Sequence, residues 1–198
     1  MMRASELISP EYAAMQRELH TRPKGYGGKG KKWADTVVAL ARRYGCASVL
    51  DYGSGQGSLT LELASRHGLH LRLAEYDPGV PGKENPPSFA DLVVTTDVLE
   101  HIEPERLPAV LAHIHALARQ AVFFVVALDE ANKVLADGRN AHLILESPDW
   151  WETTVTEAHF ELVPLGEDLP LPAAYDRLDK RAKRWIAIGV PQKHPVVG

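Results

Sequence analysis

The feature that most constrains this chain is an apolar run that ends in an acid and is followed by alternating glycines, Val49 to Ser58. The run predicts a buried strand, the glycines predict a tight turn, and Leu59 to Ala64 predicts a helix. Because glycine has no Cβ, such a turn lets a charged ligand lie against bare backbone at the start of a helix. The sequence therefore predicts an α/β fold with a ligand site at this turn.

The spacing of the glycines separates two classes of nucleotide-binding protein. A dinucleotide-binding turn has the pattern G-x-G-x-x-G, whose last glycine would fall at Ser58 here. The third glycine, Gly57, comes one residue too early, and Asp51 stands two residues before the first glycine. A carboxylate at that place would repel a pyrophosphate and attract an ammonium group. The pattern therefore disfavours a NAD-dependent reductase and favours a ligand with a cationic amine.

The strand–D-x-G-x-G-x-G–helix pattern resembles the first motif of the class I S-adenosylmethionine (SAM) methyltransferases. The resemblance implies that the cofactor is SAM, with S-adenosylhomocysteine (SAH) as its product. It also implies that the loop residues Gly53, Ser54, Gly55 and Gly57 pass the methionine part of SAM and that Asp51 lies close to it. The structural alternative is an ordinary glycine-rich turn with a surface acid.

A second strand is predicted within the segment from Leu71 to Pro78, which ends in the two acids Glu75 and Asp77. Glu75 lies about twenty residues beyond the glycines, where a βαβ unit places the acid that accepts the ribose hydroxyls. Asp77 and the proline after it match the residues that follow this acid in the family. The resemblance thus assigns Glu75 to the ribose, Tyr76 to the cofactor site and Asp77 to the turn. An exchange of roles between the two acids stays open, and so does a purely solvated role for both.

The third motif, Phe89 to Pro104, contains the letters DVLEHIEP and closely resembles the segment after the fourth strand of many small-molecule methyltransferases. Asp97 would end that strand at the carboxyl edge of the sheet, where open α/β folds bind ligands. The resemblance implies that Asp97, Val98 and Leu99 contact the cofactor. It places the segment beside the adenine and the acceptor pocket.

Later segments agree with the same family. Three further strands are predicted over Ala121 to Leu128, Phe160 to Leu165 and Arg184 to Val190. The resemblance implies a Rossmann-like three-layer sandwich with a mostly parallel sheet and an antiparallel last strand. Only proline- and glycine-rich sequence lies between Glu75 and Asp91, so the third strand of the family is expected to be reduced or missing.

A closer resemblance is to the small methyltransferases that tailed phages and prophages often encode. It rests on the stretches EYDP, DVLEHIEPE and DGRNAHLI, and on the pair Trp150-Trp151. That subgroup is mostly assigned by sequence, so its resemblance bears on the fold and the cofactor and less on the substrate.

Composition bounds the remaining possibilities. The 198 residues are expected to form one domain, with a helix and a basic glycine-rich, lid-like segment over 1–32 and the core over 33–198. The net charge of −4 does not indicate a general nucleic-acid binder. A single cysteine, Cys46, and the lack of a membrane-length apolar run favour a cytoplasmic protein with no membrane partner. The oligomeric state stays open.

Methyl transfer from a sulfonium needs an aligned acceptor and, where the acceptor must lose a proton, a base. Three residues are candidates for that base, namely His142, Asp97 and His101. The acceptor is expected to meet residues of the lid, of the loop after the fifth strand of the family and of the next helix, namely Tyr26, Arg139, Asn140, His142 and Trp150. The sequence predicts no metal site.

The sequence thus favours SAM-dependent methyl transfer to a small-molecule, nucleotide or sugar-type acceptor. A nucleic-acid methyltransferase, as in phage DNA modification, is the first alternative, and the basic segment from Arg22 to Lys32 is its only support. A non-catalytic protein that binds SAM or SAH is the alternative of another class. The acids and glycines cannot exclude it, because binding alone requires them.

Overall fold

The structure is a computed structural model that describes residues 4–21, 27–172 and 183–193. Its centre is a six-stranded sheet with the order β2-β1-β3-β4-β6-β5. The strands are β1 (Ser48–Tyr52), β2 (Arg72–Tyr76), β3 (Ala90–Thr96), β4 (Ala118–Ala127), β5 (Phe160–Val163) and β6 (Arg184–Pro191).

Strands β1 to β4 pair in parallel, whereas β6 runs antiparallel to both β4 and β5. This arrangement confirms the predicted mostly parallel sheet with an antiparallel last strand. No strand forms over residues 77–89, between β2 and β3, so the expected loss of one strand is also confirmed. Proline and glycine in that segment cannot sustain a ladder of backbone hydrogen bonds.

Helices cover both faces of the sheet. They are α1 (Ala4–Leu7), α2 (Pro10–Thr21), α3 (Ala34–Arg43), α4 (Ser58–Ala64), α5 (Leu107–Leu117) and α6 (Pro148–Glu157). Short 3-10 turns precede α3 and α5 and follow β3. No helix in the described part of the chain is long and apolar enough to cross a membrane.

The core is divided into two apolar layers, one on each face. On one face, side chains of α3 and α4 pack on β1, β3 and β4, and Trp33 meets Phe123 edge to face with ring centroids 5.5 Å apart. On the other face, α5 packs on β3 and β4, α6 packs on β5 and β6, and Trp151 stacks on Trp185. Strand β4 is buried on both sides from Ala121 to Ala127, which explains its unbroken apolar sequence.

The helix ends follow local sequence signals. Ser9 accepts a hydrogen bond from the Tyr12 amide at 3.1 Å, as expected of a residue that caps a helix starting with proline. Ser147 does the same for α6 through the amide of Trp150. Helix α3 is preceded by a 3-10 turn that begins at Gly30, and the chain becomes α-helical at Ala34.

A substitution of Phe123 would measure how much this core contributes to stability, because the side chain is fully buried between the sheet and α3. We expect Phe123→Ala to lower the free energy of unfolding by about 3–5 kcal/mol, the usual cost of emptying a buried aromatic site. Urea denaturation followed by circular dichroism would measure it.

Phe89→Ala is the matched control, since Phe89 is 62% exposed. We expect it to change stability by no more than about 0.5 kcal/mol. Equal losses in the two variants would contradict the assignment of Phe123 to the core.

Candidate active site

A cavity of about 700 Å³ opens at the carboxyl ends of β1, β2 and β3. Its floor consists of the glycine-rich loop and the residues that follow β3, and its far side consists of the loop after β4. Helix α2 and residues 27–30 supply the remaining wall. This is the edge at which open α/β sheets bind ligands, and the volume is typical of small-molecule sites.

The glycine-rich loop is packed so closely that side chains would not fit. A Cβ on Gly55, whose φ is +50°, would lie 2.7 Å from the carbonyl oxygen of Gly27. A Cβ on Gly57, whose φ is +73°, would collide with the carboxylate of Glu75. The loop is therefore held between the N-terminal segment and β2, and its backbone is brought to the cavity at Gly53, Ser54 and Gly55.

Asp51 lines the cavity from β1 and is only 5% exposed. Burial, and after it the negative charge of Glu75 on the neighbouring strand, raises the pKa of its carboxyl group to about 7. The ammonium group of Lys83 acts in the opposite direction. A cation placed beside Asp51 would stabilise its ionised form, so the electrostatics of this end favour a positively charged ligand group.

At the end of β2 the structure brings Asp77, and not Glu75, to the cavity. Glu75 does not line the cavity, because its carboxylate lies under Gly57 and forms a 2.9 Å ion pair with Lys83. Asp77 does line it, and accepts backbone hydrogen bonds from Gly55 at 2.8 Å and Gly79 at 2.9 Å. The acid that faces the cavity is therefore Asp77, which the sequence had assigned to the turn.

Asp97 follows β3 in a left-handed conformation, with φ of +56°, and lines the cavity. Its two carboxylate oxygens form ion pairs with Lys32 at 3.3 Å and with Arg184 at 2.8 Å. Arg184 also reaches Asp129 in the loop after β4. Because both oxygens face cations, Asp97 is better suited to holding the site together than to accepting a proton.

His101 and His142 face the cavity together, with ring centroids 4.7 Å apart in an edge-to-face arrangement. The Nδ1 atom of His101 lies 2.6 Å from the carbonyl oxygen of Ala141, and Nδ1 of His142 bonds to the carbonyl oxygen of Asp129. A carbonyl oxygen can only accept, so Nδ1 carries a proton in both rings, and in the neutral form of each ring Nε2 carries the lone pair. Burial, followed by the charge of His142, lowers the pKa of His101 to about 4.

Glu100 is fully buried beside these histidines, and nothing in the sequence indicated this. Its Oε1 atom accepts the amide of Ala127 at 3.0 Å, whereas Oε2 has no hydrogen-bond partner among the described residues. Burial, and then the charge of Asp97, raises the pKa of Glu100 to about 8. The backbone carbonyl of Glu100 accepts the amides of Leu143 and Ile144, which ties the loop after β4 to this turn.

Several residues predicted for the cofactor face away from the cavity. Tyr76 is buried against Tyr52, because alternate residues of a strand point to opposite faces of the sheet. Leu99 lies in the core, because a 3-10 turn places successive side chains on different sides. Gly57 is covered by Glu75. Val98, by contrast, lines the cavity as predicted.

Three residues predicted for the acceptor lie outside the cavity lining. Arg139 pairs with Asp137 at 2.7 Å. Asn140 binds the backbone of Ala131 and the amide of His142, so it shapes the loop that carries His142. Trp150 packs edge to face on its neighbour in α6. Tyr26, the fourth acceptor residue besides His142, lies outside the described residues.

The sequence did not identify the wall that α2 contributes. Tyr12, Gln16 and His20 line the cavity from this helix, and residues 27–30 continue the wall. Lys32 and Arg184, which hold Asp97, were also missed. The amphipathic pattern of α2 was the only available signal, and it cannot distinguish a helix over a core from one over a ligand site.

A comparison with protein families is consistent with this geometry. Residues 20–185 match the model of a family described as "Methyltransferase domain", which covers most of the chain and nearly all of the cavity. The chain belongs to this methyltransferase family.

Solved structures share the fold of this methyltransferase. The 1,6-didemethyltoxoflavin-N1-methyltransferase of Burkholderia thailandensis, solved with 1,6-didemethyltoxoflavin and SAH, is 21% identical with a TM-score of 0.61, and the match covers 94% of this chain and 92% of that one. The DhpI–SAH complex is 17% identical with a TM-score of 0.53, covering 92% and 98%.

The magnesium protoporphyrin IX methyltransferase ChlM of Synechocystis PCC 6803, solved with SAH, is 15% identical with a TM-score of 0.53, and the match covers 82% of this chain and 83% of that one. At these identities the likeness establishes the class I methyltransferase fold. No curated protein matches the chain.

Proposed function

We propose that this methyltransferase binds SAM in the cavity and transfers its methyl group to a small-molecule, nucleotide or sugar-type acceptor. The observation that carries the proposal is the cavity itself, where a bare glycine loop, a buried acid and a strand-end acid meet at one edge of the sheet. Support comes from family membership and from three structural relatives that were solved with SAH.

The proposed position of SAM is based on the acids that line the cavity. The ammonium group of SAM lies nearest Asp51, because that buried carboxylate gains most from a cation. The ribose hydroxyls donate to Asp77 at the end of β2, and the loop from Gly53 to Gly55 receives the methionine part. Val98 supplies apolar contact to the adenosine.

The acceptor is placed at the opposite end of the cavity, where Asp97, His101, His142 and Arg184 line it. His142 is the proposed base, because its Nδ1–H bond to a backbone carbonyl leaves the Nε2 lone pair available for the acceptor proton. In the transfer the acceptor lone pair forms a bond to the methyl carbon. The carbon–sulfur bond breaks with its electron pair on sulfur, and SAH leaves as a neutral thioether.

We further propose that the protein is a phage- or prophage-type enzyme of the cytoplasm. The motifs DVLEHIEPE and DGRNAHLI support a methyltransferase of the phage and prophage type. The single cysteine supports a reducing compartment such as the cytoplasm.

A pair of charge-removing variants tests the cofactor pose. We expect Asp77→Asn to weaken SAH binding more than about tenfold, because hydrogen bonds to a charged group contribute about 1.5–3 kcal/mol. Glu75→Gln removes the same charge from an acid outside the cavity, and we expect a change below about threefold. Isothermal calorimetry measures both. A larger loss of SAH affinity in Glu75→Gln than in Asp77→Asn would show that the ribose binds at Glu75. A wild-type protein that does not bind SAH would overturn the proposed function.

The pH dependence of binding tests the role of Asp51. With a pKa of about 7, Asp51 is mostly protonated at pH 6 and mostly ionised at pH 8. A cationic ligand group binds the ionised form, so affinity rises with pH, and we expect SAH to bind up to about tenfold more tightly at pH 8.

Asp51→Asn is the control for that measurement, because it shares every other titration of ligand and protein. We expect the variant to bind more weakly and to lose the increase between pH 6 and pH 8. An equal increase in both proteins would show that Asp51 does not face the ammonium group.

A further inference from the structure

Three potential metal ligands converge at the acceptor end of the cavity. Glu100 and His101 belong to the turn after β3, and His142 belongs to the loop after β4. One ligand atom from each of these side chains lies within 4.8 Å of the other two. Ligands about 2.1 Å from a common tetrahedral metal lie roughly 3.4 Å apart, so small side-chain adjustments would complete the set.

The orphaned oxygen of Glu100 is the second observation that points to an ion. The residue is fully buried, one carboxylate oxygen is occupied by the amide of Ala127, and the other has no hydrogen-bond partner among the described residues. A buried carboxylate oxygen without a partner is costly. A bound cation would supply the missing partner at the place where the two imidazoles lie.

Both histidines are oriented as metal ligands usually are. Ligating histidines commonly donate the other ring N–H to a backbone carbonyl, which fixes the tautomer and the direction of the ring. His101 donates Nδ1–H to Ala141, and His142 donates Nδ1–H to Asp129. The remaining nitrogen of each ring, Nε2, carries the lone pair that a metal requires.

The position of the set suits an ion that works on the acceptor. His101 and His142 line the cavity, whereas Glu100 lies behind them in the protein. Three ligands on the protein side leave the cavity side open for further coordination. Two imidazoles and one carboxylate suit Zn²⁺, Fe²⁺, Co²⁺ or Mn²⁺ better than Ca²⁺ or Mg²⁺, which prefer oxygen ligands.

We propose that Glu100, His101 and His142 bind a divalent transition-metal ion whose open positions coordinate a hydroxyl group of the acceptor. This inference rests on the proposed function for its choice of acceptor end, and it departs from the sequence prediction of no metal site. It also narrows the acceptor class to molecules with an ionisable hydroxyl that can reach the ion.

The ion would replace the base role proposed for His142, because the Nε2 lone pair then belongs to the metal. Coordination lowers the pKa of the hydroxyl, and its proton leaves to solvent water before transfer. The resulting oxygen forms a bond to the methyl carbon of SAM, and the carbon–sulfur electron pair stays on sulfur.

Titration of chelator-treated protein with Co²⁺, Zn²⁺ and Mn²⁺ tests the site without any acceptor. We expect one ion per chain with micromolar or tighter affinity for Co²⁺ or Zn²⁺, and visible d–d absorption of low-coordinate Co²⁺. His142→Ala and Glu100→Gln should each weaken binding at least about 100-fold, since even outer-shell changes cost 10–100-fold. The exposed His67→Ala is the matched control and should bind as wild type does.

SAH affinity and circular dichroism, measured on the same samples, separate this inference from the proposed function. Normal SAH binding with no stoichiometric metal binding would overturn the metal site and leave the methyltransferase assignment in place. Equal metal affinity in wild type and in Glu100→Gln would overturn it as well. If His142→Ala does not fold, Glu100→Gln decides the outcome, because the amide retains the side-chain shape and can still accept the Ala127 amide.

Discussion

The mutual repulsion of carboxylates at the carboxyl edge of the sheet is the constraint on which the site depends. The register of β1 and β2 places Asp51 beside Glu75, and the turn after β3 places Asp97 near Glu100. Like charges this close cannot all stay ionised without compensation. Lys83 offsets Glu75, while Lys32 and Arg184 hold Asp97.

Two acids form no such ion pair among the described residues, although the charges of Lys83 and Arg184 partly offset theirs. Asp51 and Glu100 are buried and depend on protonation or on a cation for stability. They lie in different parts of the site, Asp51 at the end proposed for the cofactor and Glu100 at the end proposed for the acceptor. Each of them therefore faces one of the two positive partners that we propose, the ammonium group of SAM for Asp51 and a metal ion for Glu100.

The fold was largely predictable because its signals are local or periodic. The unbroken apolar run of β4 reflects burial on both faces, and the proline-rich segment after Glu75 removed one strand of the family as expected. The direction of side chains at strand ends was less predictable. Glu75 pairs with Lys83 beneath Gly57 while Asp77 faces the cavity, and no spacing rule contains the contact with Lys83.

At the acceptor end, the sequence could not predict which loop residues line the cavity. His142 was predicted there and lines the cavity, whereas its neighbours Arg139 and Asn140 serve the shape of the loop. A sequence motif shows that residues are adjacent in the chain but not which of them turn inward. Glu100 shows the same limit, because burial of a carboxylate cannot be read from its neighbours.

A crystal structure of the protein with SAH would test the proposed cofactor site most directly. We expect SAH in the cavity at the ends of β1 to β3, with its amine nearest Asp51, its ribose hydroxyls at Asp77 and its sulfur toward His142. SAH bound elsewhere on the protein, or a cavity that stays without ligand at saturating SAH, would contradict it.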